Sequence, residues 1–304
     1  MNLSRICLGG ALLVSWALCC AQSPQPDGAG VRSGKLPKAW RTGGPTCGDA
    51  PEWEVQEYNP DLYIFRENGC VNFEKPFLYL FFGRDKALLI DTGAGETHVG
   101  AAVSDAIKTW ADRNHRAEPA LLVGHSHSHD DHTAGDKQFQ SRANTTVIPL
   151  TVEGTSRLFA IAKWPTDIGH IDLGERVLDV IPIPGHDVLS LAYYDRQTGV
   201  FLTGDSMYPG RLYVKDFPAF VASTARMVKF TDGKIVTHLL GCHIEQSRTP
   251  YLDYKVETKY QPDEHSLELG RGELLELDAA LAHMKTPARM AFRDFTIWPS
   301  GPND

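Results

Sequence analysis

Residues 127–132 read His-Ser-His-Asp-Asp-His and are preceded, three residues earlier, by the apolar run Ala120–Val123. Imidazoles and carboxylates crowded this closely are costly to bury by themselves and well suited to binding a metal ion. If the segment leaves a strand extended, His127 and His129 point to the same side, because side chains alternate with a period of two. A turn after Asp130 then swings Asp131 and His132 to a neighbouring position, so that one short loop can feed two metals.

Four further polar residues stand where an apolar run stops. Asp91 closes Leu88-Leu89-Ile90, His186 follows Ile181-Pro182-Ile183-Pro184-Gly185, Asp205 follows Val200-Phe201-Leu202-Thr203-Gly204, and His243 follows Leu239-Leu240-Gly241-Cys242. A strand that ends in a small residue and then Asp or His delivers that side chain to the rim of a sheet, where ligands bind in β/α architectures. A glycine beside such a residue lets the backbone approach closely.

The elements that must carry these residues are legible as apolar runs and stripes. Strands are predicted over Phe77–Phe82, Lys86–Ile90, Ala120–Val123, Val177–Ile183, Leu191–Tyr194, Val200–Leu202 and Lys234–Leu240. Pro182 and Pro184 suit the end or edge of a strand. Between the strands, Val99, Val103, Ala106, Ile107 and Trp110 share one helical face. So do Phe217, Phe220, Val221, Thr224 and Val228, and a third stripe runs through Leu274, Leu277, Leu281 and Met284. These stripes are core-facing surfaces of helices, and the alternation of strand and helix indicates a layered α/β fold.

The chain of 304 residues, 42% hydrophobic and 22% charged, is long enough for one large core. Its formal net charge of −8 argues against a nucleic-acid surface, which needs a basic stripe. Arg5 followed by the apolar run Ile6–Leu18 and the small residues up to Ala21 reads as a signal peptide over 1–21. The run is too short for a comfortable membrane span, so export to the periplasm or medium is expected, with no stable span after processing. Residues 22–50, rich in Pro, Gly and Ser, read as a flexible linker, and residues 51–304 as the functional domain. Outside the leader, Cys47 and Cys70 are a plausible disulfide pair in an exported chain, with two unpaired thiols as the alternative. Cys242, beside His243, is expected to be buried.

Taken in order, Ile90-Asp91-Thr92-Gly93, His127–His132, Pro184-Gly185-His186, Thr203-Gly204-Asp205 and Gly241-Cys242-His243 resemble the five-motif set of the metallo-β-lactamase superfamily over roughly residues 55–245. The resemblance implies a four-layer αββα sandwich with two metals at one edge. It implies one metal on His127, His129 and His186, a second on Asp131, His132 and His243, and Asp205 bridging the two. Asp91 would support the ligand loop by hydrogen bonding. Two zinc ions are implied, with iron or manganese as alternatives. The implied chemistry is a metal-bridging hydroxide acting on an ester, thioester, lactone or amide carbonyl of a small-molecule substrate, with Asp131 orienting it or shuttling its proton.

Aspartate at position 205 is similar to the glyoxalase II and lactonase branches; the resemblance places cysteine or serine there in true β-lactamases. A β-lactamase-type activity, or an iron-dependent redox enzyme similar to the persulfide dioxygenases, is the alternative. Tyr208 and Arg211 follow Asp205, and Arg248 and Tyr251 follow His243, which makes their loops candidate substrate contacts. Either arginine could hold a carboxylate; a surface ion pair or a packed ring is the competing role for each. Asn72–Phe77 reads either as a loop over the cleft or as a plain hairpin turn, and His125 as a supporting residue.

Overall fold

Every residue of Phe77–Phe82 is buried. Alternate side chains of a strand face opposite ways, so Phe77, Tyr79 and Phe81 enter one apolar cluster while Leu78, Leu80 and Phe82 enter another. A strand of this kind needs a layer on each side of it. The computed structural model, which describes residues 30–300 apart from 42, 48 and 49, shows both layers. The signal segment expected over 1–21 lies outside the described residues.

Two six-stranded sheets lie face to face. The first runs in chain order through β1 (Trp53–Asn59), β2 (Leu62–Glu67), β3 (Phe77–Phe82), β4 (Lys86–Ile90), β5 (Ala120–Gly124) and β6 (Thr145–Val147). Its helices are α1 (Val99–Arg113), α2 (Asp130–Thr133) and α3 (Asp136–Gln140), with α4 (Val152–Phe159) leading into the second sheet. That sheet is built from β7 (Gly169–Asp172), β8 (Val177–Pro182), β9 (Leu191–Asp195) and β10 (Val200–Gly204). The next strand, β11 (Arg211–Val214), leaves the sheet, and after α5 (Phe217–Thr231) the chain returns to it with β12 (His238–Gly241) and β13 (Glu268–Leu269). Following α6 (Arg271–His283), β14 (Met290–Ala291) and β15 (Thr296–Pro299) join β11 in a small third sheet.

Three apolar clusters define the layers. Ile64, Tyr79, Phe81 and Leu88 of the first sheet meet Leu178, Val180, Tyr193 and Leu202 of the second between the sheets. Val103, Ile107 and Trp110 of α1 cover the outer face of the first sheet. Phe220 and Met227 of α5, with Leu274, Leu277 and Leu281 of α6, cover the outer face of the second. This is the helix–sheet–sheet–helix sandwich expected; the first predicted stripe is the buried face of α1, while in the other two Phe220, Thr224, Leu274, Leu277 and Leu281 are buried and Phe217, Val221, Val228 and Met284 only partly so. Among the described residues no helix is long and apolar enough to cross a membrane.

Two expectations are corrected. The strand predicted from Lys234 begins only at His238. Gly233 turns the chain at φ 72°, Ile235 is exposed, and the Ile235 carbonyl accepts from the Tyr194 hydroxyl instead of joining a strand ladder. The described part of the segment 22–50 is not a free tether either. Arg32 N donates to Gln197 O, Lys35 N donates to Tyr58 O, and Trp40 is buried edge-on against Phe77. A Cys47–Cys70 disulfide, with Cα atoms 5.5 Å apart, ties this strap down. The strap docks because it supplies a ring that covers Phe77 where the first core would otherwise meet water.

A buried cation clamps the two sheets together. The Arg176 guanidinium bonds Asp195 through Nε (3.2 Å) and Nη2 (2.6 Å) in the second sheet, and its Nη1 donates to the carbonyls of Asp61 and Phe82 in the first. Both charged partners are essentially inaccessible. Arg176→Met is expected to cost about 3–5 kcal/mol in urea unfolding, because it strands the Asp195 carboxylate in the core. Arg84→Ala, which breaks an exposed pair with Asp85 and Glu175, is expected to leave the unfolding midpoint essentially unchanged in the same assay.

Candidate metal centre

Strands β4 and β5 run parallel, as do β10 and β12, so their C-terminal ends reach one edge of the sandwich. The loops leaving those ends are stitched together by backbone hydrogen bonds. Asp91 N donates to Gly124 O, Cys242 N to Gly204 O, Leu191 N to Ser126 O and Phe77 N to Cys242 O. Gly204 sits at φ 52°, and a Cβ there would lie 2.9 Å from that of Ser126, so this position takes glycine for both conformation and space. After the extended His129 the chain turns into α2, which carries Asp131 and His132 round to face the histidines before them.

The seven expected ligands meet. His127 Nε2 and His186 Nε2 lie 2.9 and 3.0 Å from His129 Nδ1. Asp131 Oδ2 lies 3.1 Å from His132 Nε2 and 3.3 Å from His243 Nε2, and those two nitrogens are 3.3 Å apart. Between the groups stands Asp205 Oδ2. It is 3.8 and 3.7 Å from the Nε2 atoms of His127 and His186, and 3.7 and 3.4 Å from those of His132 and His243. Ligand atoms on a tetrahedral zinc with bonds near 2.0–2.1 Å lie about 3.3 Å from one another. Two groups, His127-His129-His186 and Asp131-His132-Asp205-His243, thus have the spacing to hold a metal ion each.

Hydrogen bonds on the outer side of the rings fix which nitrogen faces inward. His186 Nδ1 is 2.8 Å from Tyr213 O, and His243 Nδ1 is 2.9 Å from Glu74 O. Carbonyls only accept, so both Nδ1 atoms carry a proton and both Nε2 atoms are the ones turned inward. Asp91 Oδ2 does the same for His132 Nδ1 at 2.9 Å. His129 Nδ1 has at most one proton to share between two imidazole nitrogens within 3.0 Å. Asp205 Oδ1 is buried with no hydrogen-bond partner. Convergent ring nitrogens and an unpartnered buried carboxylate oxygen are what a bound cation would satisfy, and the residues fit divalent metals.

The two groups differ in charge. Burial drives the His127 pKa well below the usual imidazole value, aided by repulsion from His132, and burial also lowers His186 and His129. This first set is ready to bind as neutral imidazoles. In the second set burial opposes charge, yet Asp131, Asp91 and Asp205 lift the His132 pKa well above its usual value, and Asp205 and Asp131 lift that of His243. Reciprocally, and despite burial, these histidines hold Asp131 and Asp205 below the ordinary carboxylate range.

The candidate substrate residues are otherwise engaged. The Tyr208 ring is buried against that of His243, 5.7 Å away, and its hydroxyl is bonded to Arg211 O and Glu245 Oε2. Arg211 is buried in ion pairs with Glu245 and Asp253. Arg248 donates to the carbonyls of Glu264 and Lys38, and so pins the N-terminal strap. Tyr251 is exposed, as is Arg248. The first three serve the packing of the 245–264 segment, so none offers its polar head to a substrate carboxylate. Asn72–Pro76 supplies the Glu74 carbonyl to His243, and His125 braces Asp136 at 2.9 Å. Sequence reasoning missed Lys215, whose Nζ is 3.0 Å from His129 Nε2, and Asp187, which accepts from Ser128 N and Oγ. It also missed Glu67. Neither Lys215 nor Glu67 lies in a run or motif that could have marked it; only Asp187, directly after His186, stood beside a flagged residue.

A family model described as the metallo-beta-lactamase superfamily matches residues 73–234. An acyl-coenzyme A thioesterase of Bos taurus is 26% identical over 229 residues, 64% of this chain and 82% of the relative. A hydroxyacylglutathione hydrolase of Erythrobacter litoralis is 29% identical over 112 residues, 34% of this chain and 42% of the relative. Among solved structures, a metallo-beta-lactamase from Hirschia baltica aligns with TM-score 0.53 at 14% identity, over 78% of this chain and all 100% of that one. One from Pontibacter korlensis aligns with TM-score 0.51 at 13% identity, over 76% and 100%. Identities this low carry the fold alone.

Glu67 anchors the loop beneath the centre. Its Oε2 accepts from Ala94 N at 2.8 Å, while Oε1 is buried without a partner. Burial raises its pKa from 4.5 to about 8. The folded chain therefore binds this proton more tightly than the unfolded chain, and stability present at pH 4.5 is lost as pH rises toward 8, by about 5 kcal/mol at most. Urea unfolding of the metal-free protein at pH 5 and pH 8 checks this: Glu67→Gln is expected to flatten the decline.

Proposed function

The chain belongs to the metallo-β-lactamase superfamily and is a metal-dependent hydrolase, and on that premise we propose that it is an exported dinuclear enzyme that cleaves a carbonyl substrate, foremost a thioester. His127, His129 and His186 would hold one cation, Asp131, His132 and His243 the other, and Asp205 would touch both. The observation that carries this reading is the position of Asp205 Oδ2, 3.4–3.8 Å from the inward nitrogens of four histidines drawn from both groups. Bound divalent cations would supply an acidified water and polarise a carbonyl. Nitrogen and carboxylate ligands suit zinc.

The remaining work falls to the chain's own residues. The outer hydrogen bonds to Tyr213 O, Glu74 O and Asp91 hold the imidazoles in one tautomer and one orientation. Asp131 stands at the rim, one-fifth exposed, with Oδ2 against His132 and His243. Its Oδ1 has no hydrogen-bond partner among the described residues and is the atom we assign to accept a proton and return it to a departing group. The thioester preference is supported by the names of the two relatives, a thioesterase and a hydroxyacylglutathione hydrolase. Export is supported by the leader-like residues 1–21 and by the Cys47–Cys70 disulfide, which persists in oxidising compartments.

Elemental analysis of the mature protein beside a panel of thioesters, esters, lactones and β-lactams tests this reading. Two divalent metals per chain and turnover of thioesters are expected, with an N-terminus at Gln22 by mass spectrometry. Asp205→Ala is expected to lose at least one metal and at least about a hundredfold in kcat/KM, since loss of an outer partner alone costs about 10–100-fold. Full metal content with undiminished turnover in that variant overturns the bridging role.

A further inference from the structure

A cavity of about 150 Å3 lies beside the metal centre, roofed by Lys255–Thr258. Its walls include Glu74 and Tyr213, the residues whose carbonyls hold His243 and His186. Ile244 and Glu245, which follow His243 in the chain, form another wall. The cavity thus adjoins the centre through residues that hold its ligands or follow them in the chain.

The polar groups there are unequally satisfied. Lys75 is buried and donates through Nζ to the carbonyls of Phe73 and Thr258. Arg211 is neutralised by Glu245 and Asp253, and its Nη2 donates to Tyr254 O. The Glu74 carboxylate is different. Its backbone N–H donates to Asn72 Oδ1 and its carbonyl receives His243, but among the described residues its carboxylate accepts no hydrogen bond and forms no ion pair. The charged groups near it are His243 and Lys75 on the basic side and Asp131, Glu245 and Asp205 on the acidic side, so acidic groups outnumber basic ones around it. Lys255 and Glu257 stand opposite each other in sign on the exposed roof, where solvent screens both.

A half-buried acceptor lacking a donor is the group a ligand can best reward, and a second anion beside it would be penalised. A substrate carboxylate placed here would find both buried cations already taken. We propose that this cavity is a specificity subsite in which Glu74 selects a neutral or cationic hydrogen-bond donor, such as an ammonium, amide or hydroxyl group, and rejects a carboxylate. The inference rests on the thioester-hydrolase reading above. It makes Glu74 a substrate-contacting residue through its carboxylate, separately from its carbonyl on His243.

The test uses two series of thioesters on the metal-loaded protein, followed by thiol release. One keeps a butyryl group and varies the thiol: thiocholine, 2-mercaptoethanol or thioglycolate. The other keeps 2-mercaptoethanol and varies the acyl group: β-alanyl, butyryl or succinyl. In one of the series the cationic or neutral member is expected to exceed the anionic one at least tenfold in kcat/KM. Glu74→Gln is expected to bring that ratio to within about threefold of unity while keeping two metals per chain and the wild-type melting temperature. Lys255→Gln is expected to leave the ratio in place. A preference for the anionic member in both series, or a ratio that survives Glu74→Gln in a fully metallated protein, overturns the subsite. If no thioester is turned over, the hydrolase reading fails separately. Calorimetric binding of the corresponding thioethers then decides the subsite, with the same order expected and an anionic preference again overturning it.

Discussion

The Asp91 carboxylate is wholly buried at the edge where the two sheets meet, and a buried anion must be surrounded by donors. Ser126 N reaches Oδ1 at 2.6 Å. Oδ2 receives Ser126 Oγ at 2.7 Å, His132 Nδ1 at 2.9 Å and the Cys242 thiol at 3.4 Å. Those donors come from two segments distant in sequence, the loop after β5 with its short helix α2, and the loop leaving β12. Asp91 itself lies at φ 69°, a conformation few side-chain-bearing residues adopt without cost. The strain and the desolvation are tolerated because every donor is supplied, so the loops that carry His127, His132 and His243 share one register. The metal centre is the exposed side of this internal polar knot.

The ligands could be read from the sequence because each follows an apolar run, and parallel strands carry such ends to one edge. His127, His129, Asp131, His132, His186, Asp205 and His243 come together as expected, as does the supporting Asp91. The outer partners were not legible, for a physical reason. His186 and His243 are oriented by the carbonyls of Tyr213 and Glu74, and a backbone carbonyl has no residue type to recognise. Arg211 looked available because its partners Glu245 and Asp253 are distant in sequence, and only folding shows its charge already neutralised. The β1–β2 hairpin escaped notice because β1 alternates with charged residues and β2 ends in Arg66 and Glu67, both buried.

The uneven charge of the two ligand groups gives the centre a direction. Three imidazoles stand on one side, Asp131 adds a carboxylate on the other, and Asp205 lies between the two groups. A cation bound among His127, His129 and His186 would keep more of its charge than one bound beside Asp131. The cavity beside Glu74 shares walls with the residues that hold both His186 and His243.

The small third sheet extends this dependence far along the polypeptide. Tyr213, whose carbonyl orients His186, is held in β11 by pairing with β15, and Thr296 N and Ser300 N close the ends of that ladder on Gly210 O and Val214 O. The buttress of a ligand at position 186 is thus made by residues translated more than a hundred positions later. During synthesis on the ribosome, the histidines emerge well before the strand that steadies one of them. The native setting of His186 is accordingly complete only once β15 is available to pair with β11.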